Sequence, residues 1–100
     1  MKITLRYFAG CPNWRLAEER LRTTLASAGV SDAVLSLEPV ETHEDAVRLG
    51  FRGSPTILVD GRDPFAYDGA PVGLACRVYV TEDGLRGAPT LDQLRTAIEA

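Results

Sequence analysis

Residues 2–14, Lys2-Ile3-Thr4-Leu5-Arg6-Tyr7-Phe8-Ala9-Gly10-Cys11-Pro12-Asn13-Trp14, decide how this chain reads. Ile3, Leu5 and Tyr7 alternate with Lys2, Thr4 and Arg6, the period of two that marks a strand. Ala9-Gly10-Cys11 then turns the chain, and Pro12 suits the first turn of a helix, where its missing N–H is not needed. Beyond it Trp14, Ala17, Leu21, Leu25 and Ala28 recur three or four apart, with Glu18, Glu19, Arg20 and Arg22 mostly elsewhere. That spacing predicts an amphipathic helix, and Gly29 is its natural stop. A cysteine therefore stands at the junction of a strand and a helix.

Working outward, Ala33, Leu35 and Leu37 alternate with Val34, Ser36 and Glu38 in a second strand over 33–40, with Pro39 at its end or on an edge. Thr42 is placed to cap a short helix that carries Glu44 and Asp45 in its first turn and ends at Gly50. After Arg52-Gly53-Ser54-Pro55 comes Thr56-Ile57-Leu58-Val59, a buried strand closed by Asp60-Gly61. Residues 62–73 form an irregular loop, longer than the usual two to five residues of a hairpin connection. Its Phe65 and Tyr67 either pack on the sheet, the preferred reading, or form a partner or ligand surface. Asp60, Asp63 and Asp68 read as turn formers, since the spacing of an EF-hand is absent. A fourth strand is expected over 74–81, with a turn at Asp83-Gly84. Thr90-Leu91-Asp92-Gln93 is a capping box opening a last helix through Leu94, Ala97 and Ile98. The order β-α-β-α-β-β-α predicts an α/β fold in a single domain over 1–100, a four-stranded mixed sheet flanked by helices.

Bulk properties narrow the function classes. The chain has 100 residues, 45% hydrophobic and 25% charged, as in ordinary soluble domains. A formal charge of −3 and a pI near 5.0 argue against nucleic acid, whose readers carry a basic patch. Met1-Lys2 runs straight into the first strand with no apolar leader, and no run approaches the roughly 18 apolar residues of a membrane helix. The expectation is a cytoplasmic protein with no membrane partner. In a reducing compartment Cys11 and Cys76 are then expected to be reactive thiols or small buried hydrophobes rather than a staple.

Two segments resemble the thioredoxin-like superfamily: Phe8-Ala9-Gly10-Cys11-Pro12-Asn13-Trp14, a cysteine between first strand and first helix, and Gly53-Ser54-Pro55-Thr56 at the start of the third strand. The resemblance covers the whole chain in element order but only these segments in residues. It implies a cis peptide bond at Pro55, a proline loop beside Cys11, and a Ser54 backbone free to pair with an extended thiol ligand. The alternative at Pro55 is an ordinary trans proline. Where the Cys-X-X-Cys of thioredoxins has its second thiol, this chain has Trp14. What remains resembles single-thiol branches such as the monothiol glutaredoxins, whose second sulfur comes from glutathione or another protein, although their usual motif is missing.

A cysteine with an ordinary pKa near ~8.5 is mostly protonated at neutral pH, and a helix N-terminus favours its thiolate. Cys11 is accordingly read as a nucleophile forming a mixed disulfide, against the bland reading of an inert turn residue. Cys76 shares the apolar parity of Leu74, Val78 and Val80, which favours a small hydrophobe. The sharper reading makes it a second thiol that resolves Cys11 or joins it on a soft metal. Direct bridging needs Cα atoms within about 7 Å, and the resemblance implies a sheet whose third strand separates the first from the fourth, which disfavours it unless the cysteine-bearing turn moves. Trp14 either packs on the helix's apolar stripe, the preferred reading, or shields the thiol. Arg52 either contacts a carboxylate of glutathione or is simply solvated, the commoner outcome. His43, the sole histidine, is expected in solvent, and two cysteines with one distant histidine match no zinc template.

The leading expectation is thiol–disulfide or thiol-adduct chemistry at Cys11. Pro12, Trp14, Arg52, Ser54 and Pro55 would surround the incoming sulfur, with no resident metal or cofactor. Glutathione, another low-molecular-weight thiol or a partner protein would be co-substrate. The alternatives are a non-catalytic interaction module and a soft-metal or mercurial binder using Cys11 with or without Cys76. The redox expectation sets two conditions: positions 11 and 55 must lie side by side, and the sulfur at 11 must be open to water.

Overall fold

The computed structural model describes residues 1–30 and 32–99; Ser31 and Ala100, inside the expected domain, lie outside the described residues. In chain order the elements are β1 (Lys2–Tyr7), α1 (Asn13–Ser27), β2 (Val34–Pro39), α2 (His43–Leu49) and β3 (Arg52–Ser54). They continue with β4 (Thr56–Val59), β5 (Gly73–Cys76), β6 (Tyr79–Thr81), β7 (Gly84–Arg86) and α3 (Leu91–Glu99). β1 is the middle strand of a three-stranded sheet, parallel to β2 on one side and antiparallel to β4 on the other. Pro39 ends β2, which is an edge strand, as its missing N–H requires.

Being central changes what β1 buries. Ile3 and Leu5 are sealed as the alternation predicts, but Thr4 on the opposite face is also only 7% exposed. Arg6, on that same face, reaches the Leu49 carbonyl at the end of α2 and pairs with Glu38 at 3.0 Å. One core cluster joins Ile3, Leu5 and Ile57 to Ala17 and Leu21 of α1 and to Leu94 and Ile98 of α3. A second gathers Val40, Ala46 and Phe51, with Leu74 against it. The local signals hold: Thr42 Oγ1 accepts from Asp45 N–H at 3.0 Å, and Gly50 closes α2 in the left-handed region. Thr90 and Gln93 make both bonds of the capping box at 2.9 and 3.1 Å.

The four-stranded sheet does not form among the described residues. The expected strand over 74–81 breaks at Arg77-Val78. Its first half, β5, pairs in parallel with the short β3, and its second half, β6, turns back on β7 as a hairpin. The cause lies at Arg77: its main-chain N–H donates to the Ser54 carbonyl and its side chain turns inward, so the ladder cannot continue along β4. The long loop places Phe65 edge-to-face on Tyr79 at 5.4 Å between centroids, as the packing reading expects, while Tyr67 stays exposed. No helix is long and apolar enough to cross a membrane among the described residues.

Candidate functional site

Cys11 follows a tight turn closed by its own N–H on the Phe8 carbonyl at 3.0 Å. The next residue, Pro12, is exposed and is the N-cap of α1, with no side-chain cap among the described residues; its carbonyl accepts from Arg15 N–H at 3.2 Å. Across from this corner the Ser54–Pro55 bond is cis, as the resemblance implies, and both residues are buried. Cys11 Sγ lies 3.7 Å from the Ser54 carbonyl oxygen, so positions 11 and 55 meet. The other condition is not met: Cys11 is 1% exposed, and the expectation of redox chemistry at an open Cys11 thiol fails with it.

Cys11 is instead bonded to Cys76, across 65 residues of chain and with Cα atoms 5.7 Å apart. This corrects two expectations, that direct bridging is disfavoured and that Cys76 is a buried small hydrophobe. Cys76 is exposed, and Val78 and Val80 beyond it are exposed too. The geometric premise failed because Cys76 is not on a strand beyond β4. It ends β5, whose partner is β3, with Ser54 opposite Cys76 in register. β3 leads into the cis bond beside the end of β1, and Cys76 arrives there with it. The Ser54 backbone is likewise not free for a ligand, because its carbonyl accepts from Arg77 N–H at 2.8 Å.

A buried network that the sequence reading did not single out holds this arrangement. The Arg77 guanidinium donates to Asp63 Oδ2 at 2.6 Å, to the Phe65 carbonyl at 2.7 Å and, more distantly, to Thr56 Oγ1 at 3.5 Å. It also lies over the Tyr79 ring, 4.7 Å from the centroid. The Tyr79 hydroxyl donates to the Pro55 carbonyl, and burial pushes that phenol well up from its ordinary pKa. Gly53 makes room: at φ +111° its place in the backbone suits glycine, and a Cβ there would sit 3.0 Å from Arg77 Cβ. The one signal for this network was an arginine inside the apolar run Leu74-Ala75-Cys76-Arg77-Val78-Tyr79-Val80. Asp63, read as a turn former, carried none. Two polar atoms in the site, Ser54 Oγ and Arg77 Nε, have no hydrogen-bond partner among the described residues.

The remaining predicted residues fall as follows. Trp14 is half-buried and stacked on Tyr7 at 4.2 Å, the packing reading, with Arg15 over its ring at 5.1 Å. Arg52 is exposed and donates to the Ala70 carbonyl, which ties it to the long loop. His43 is exposed in the first turn of α2 as expected. No group of three or more metal-ligating side chains occurs among the described residues. A cleft of about 810 Å³, lined among others by Asp60, Phe65, Glu82, Gln93 and Ile98, includes neither cysteine. Comparison of the chain with family models, curated proteins and solved structures finds no match in any of the three.

Proposed function

We propose that this protein performs thiol–disulfide exchange through the Cys11–Cys76 pair on a thioredoxin-like scaffold, with glutathione, another small thiol or a partner protein's cysteine as co-substrate. The observation that carries the reading is a bond joining a sealed cysteine at a helix start to an exposed one at a strand end, beside a cis proline. A staple has no need of an exposed half, whereas exchange requires one sulfur that an external thiolate can reach. Cys11 acts here as one half of a pair. As a solitary open nucleophile it would need an exposure it does not have. The full turnover is two-electron: the closed pair and two thiols give the dithiol and one external disulfide.

Equilibration in glutathione buffers of graded potential, followed by alkylation and intact-mass analysis, tests this. Redox-active pairs have midpoints between about −120 and −270 mV, and a two-electron transition in that range is expected. A bond that stays closed below about −300 mV is a structural one and overturns the reading.

A soft metal ion or mercurial is the second reading. It is favoured by the same proximity, since Cα atoms 5.7 Å apart would put two thiolates of the reduced protein within reach of one ion. Stoichiometric binding by the reduced protein that needs both cysteines, without glutathione-dependent turnover, is its signature.

A further inference from the structure

We infer that external thiols attack this pair at Cys76, so that Cys76 carries the mixed disulfide and Cys11 is the sulfur that leaves and later resolves it. The inference rests on the exchange activity proposed above and reverses the roles expected from the sequence. Exchange proceeds through attack of a thiolate on one sulfur of the bond, and access decides which sulfur is taken. Cys11 is 1% exposed, with Ser54, itself fully buried, closing over its sulfur at 3.7 Å. Any approach to Cys11 must displace Ser54 or the first turn of α1. Cys76 is exposed and ends its strand, so it is the half of the bond that faces solvent.

The sulfur that leaves stays within the fold, next to the Pro12 N-cap of α1 and against the Ser54 carbonyl, so it remains in place to resolve the mixed disulfide. In the first step R–S⁻ bonds to Cys76 Sγ, the Cys76–Cys11 bond breaks, and its electron pair goes to Cys11. The proton given up by R–SH returns from solvent to Cys11, whose S–H then faces the Ser54 carbonyl. A second R–S⁻ attacks the R sulfur of the mixed disulfide, releasing R–S–S–R and the Cys76 thiolate, which takes a proton. In reverse, Cys76 attacks an external disulfide and Cys11 displaces the product thiol.

The test traps the first intermediate in the oxidised wild-type protein. Limiting glutathione is added, the reaction is stopped with acid, the protein is unfolded in guanidinium and alkylated with N-ethylmaleimide, and the glutathionylated cysteine is mapped by peptide mass. Glutathione on Cys76 and the maleimide on Cys11 is the expected result. In parallel, the reduced Cys11→Ser and Cys76→Ser variants are treated with oxidised glutathione, and the adduct on Cys76 is expected to form on the order of tenfold faster than that on Cys11, as access requires. Glutathione mapped to Cys11 in the wild type, or equal rates in two folded variants, overturns this inference and leaves the exchange activity standing. Exchange at neither cysteine in the wild type removes both.

Discussion

The main-chain N–H of Arg77 donates to the carbonyl oxygen of Ser54 at 2.8 Å, and this bond sets the residue after Cys76 against the residue before the cis proline. Ser54 is opposite Cys76 in register, so the pairing that orders β3 and β5 also brings the second sulfur to Cys11. The inward turn of the Arg77 side chain then binds this corner to the long loop through Asp63 and Phe65. Backbone pairing, a buried ion pair and a sulfur bond thus meet at one place, and each can be perturbed separately.

Removing Asp63 should be among the most damaging single changes outside the apolar core. The Arg77 side chain is 3% exposed, so Asp63→Ala leaves a charge buried without its counter-ion, at a cost of about 3 kcal/mol. Urea unfolding reads this directly. The double variant Asp63→Leu/Arg77→Met should recover part of the loss, because two apolar chains need no desolvation of charge while the Phe65 carbonyl loses its donor. A cost below about 1 kcal/mol for the single variant, as at exposed pairs, would show that water reaches the pair.

Ser54→Ala should be tolerated or mildly stabilising. Its hydroxyl is fully buried and has no partner among the described residues, and deleting an unsatisfied buried polar group removes a desolvation penalty of about 1 kcal/mol. The backbone carbonyl that serves Arg77 is unchanged by the substitution. A thermal scan that shows clear destabilisation would mean the hydroxyl has a role in the fold.

Tyr79 makes stability depend on alkaline pH. Desolvation raises its pKa above the ordinary 10.0, against the pull of the Arg77 charge and with a smaller push from Asp63. The folded protein therefore keeps a proton that the unfolded chain releases. Its contribution is complete below pH 10 and declines above it, by about 1.4 kcal/mol per pH unit. Tyr79→Phe should lack this slope, at a neutral-pH cost of about 1 kcal/mol for the lost bond to the Pro55 carbonyl. Denaturation midpoints of both proteins between pH 8 and about 11.5 decide it; identical profiles would remove Tyr79 as the cause.

Opening the sulfur bond should weaken the fold without destroying it. The bond spans 65 residues, and the chain-entropy relation assigns a loop of that size about 4 kcal/mol. The two apolar clusters built around Leu5 and Phe51 contain neither cysteine and should survive reduction. Guanidinium unfolding with and without a strong reductant measures the difference, and complete unfolding on reduction would contradict it.

Local chemistry made much of this molecule legible in its residues alone. The alternation in 2–7, the stripe from Trp14 to Leu25, the Thr42 cap, the Thr90–Gln93 box and the glycine stops depend on neighbours a few positions away, and the structure has each where it was expected. The proline loop beside Cys11 was also legible, through a resemblance in two short segments. What the residues alone could not say was which strand Cys76 would join. A run such as Leu74 to Thr81 satisfies a strand pattern whether it continues one sheet or splits between two pairings. The split followed from burying Arg77 against Asp63, a contact 14 residues apart in sequence that no local period encodes. Tertiary structure alone therefore decided that the two sulfurs meet, that Cys11 is sealed and that Cys76 is open. Pairing partners and exposure are properties of the assembled surface, set by long-range burial, and no window of sequence contains them.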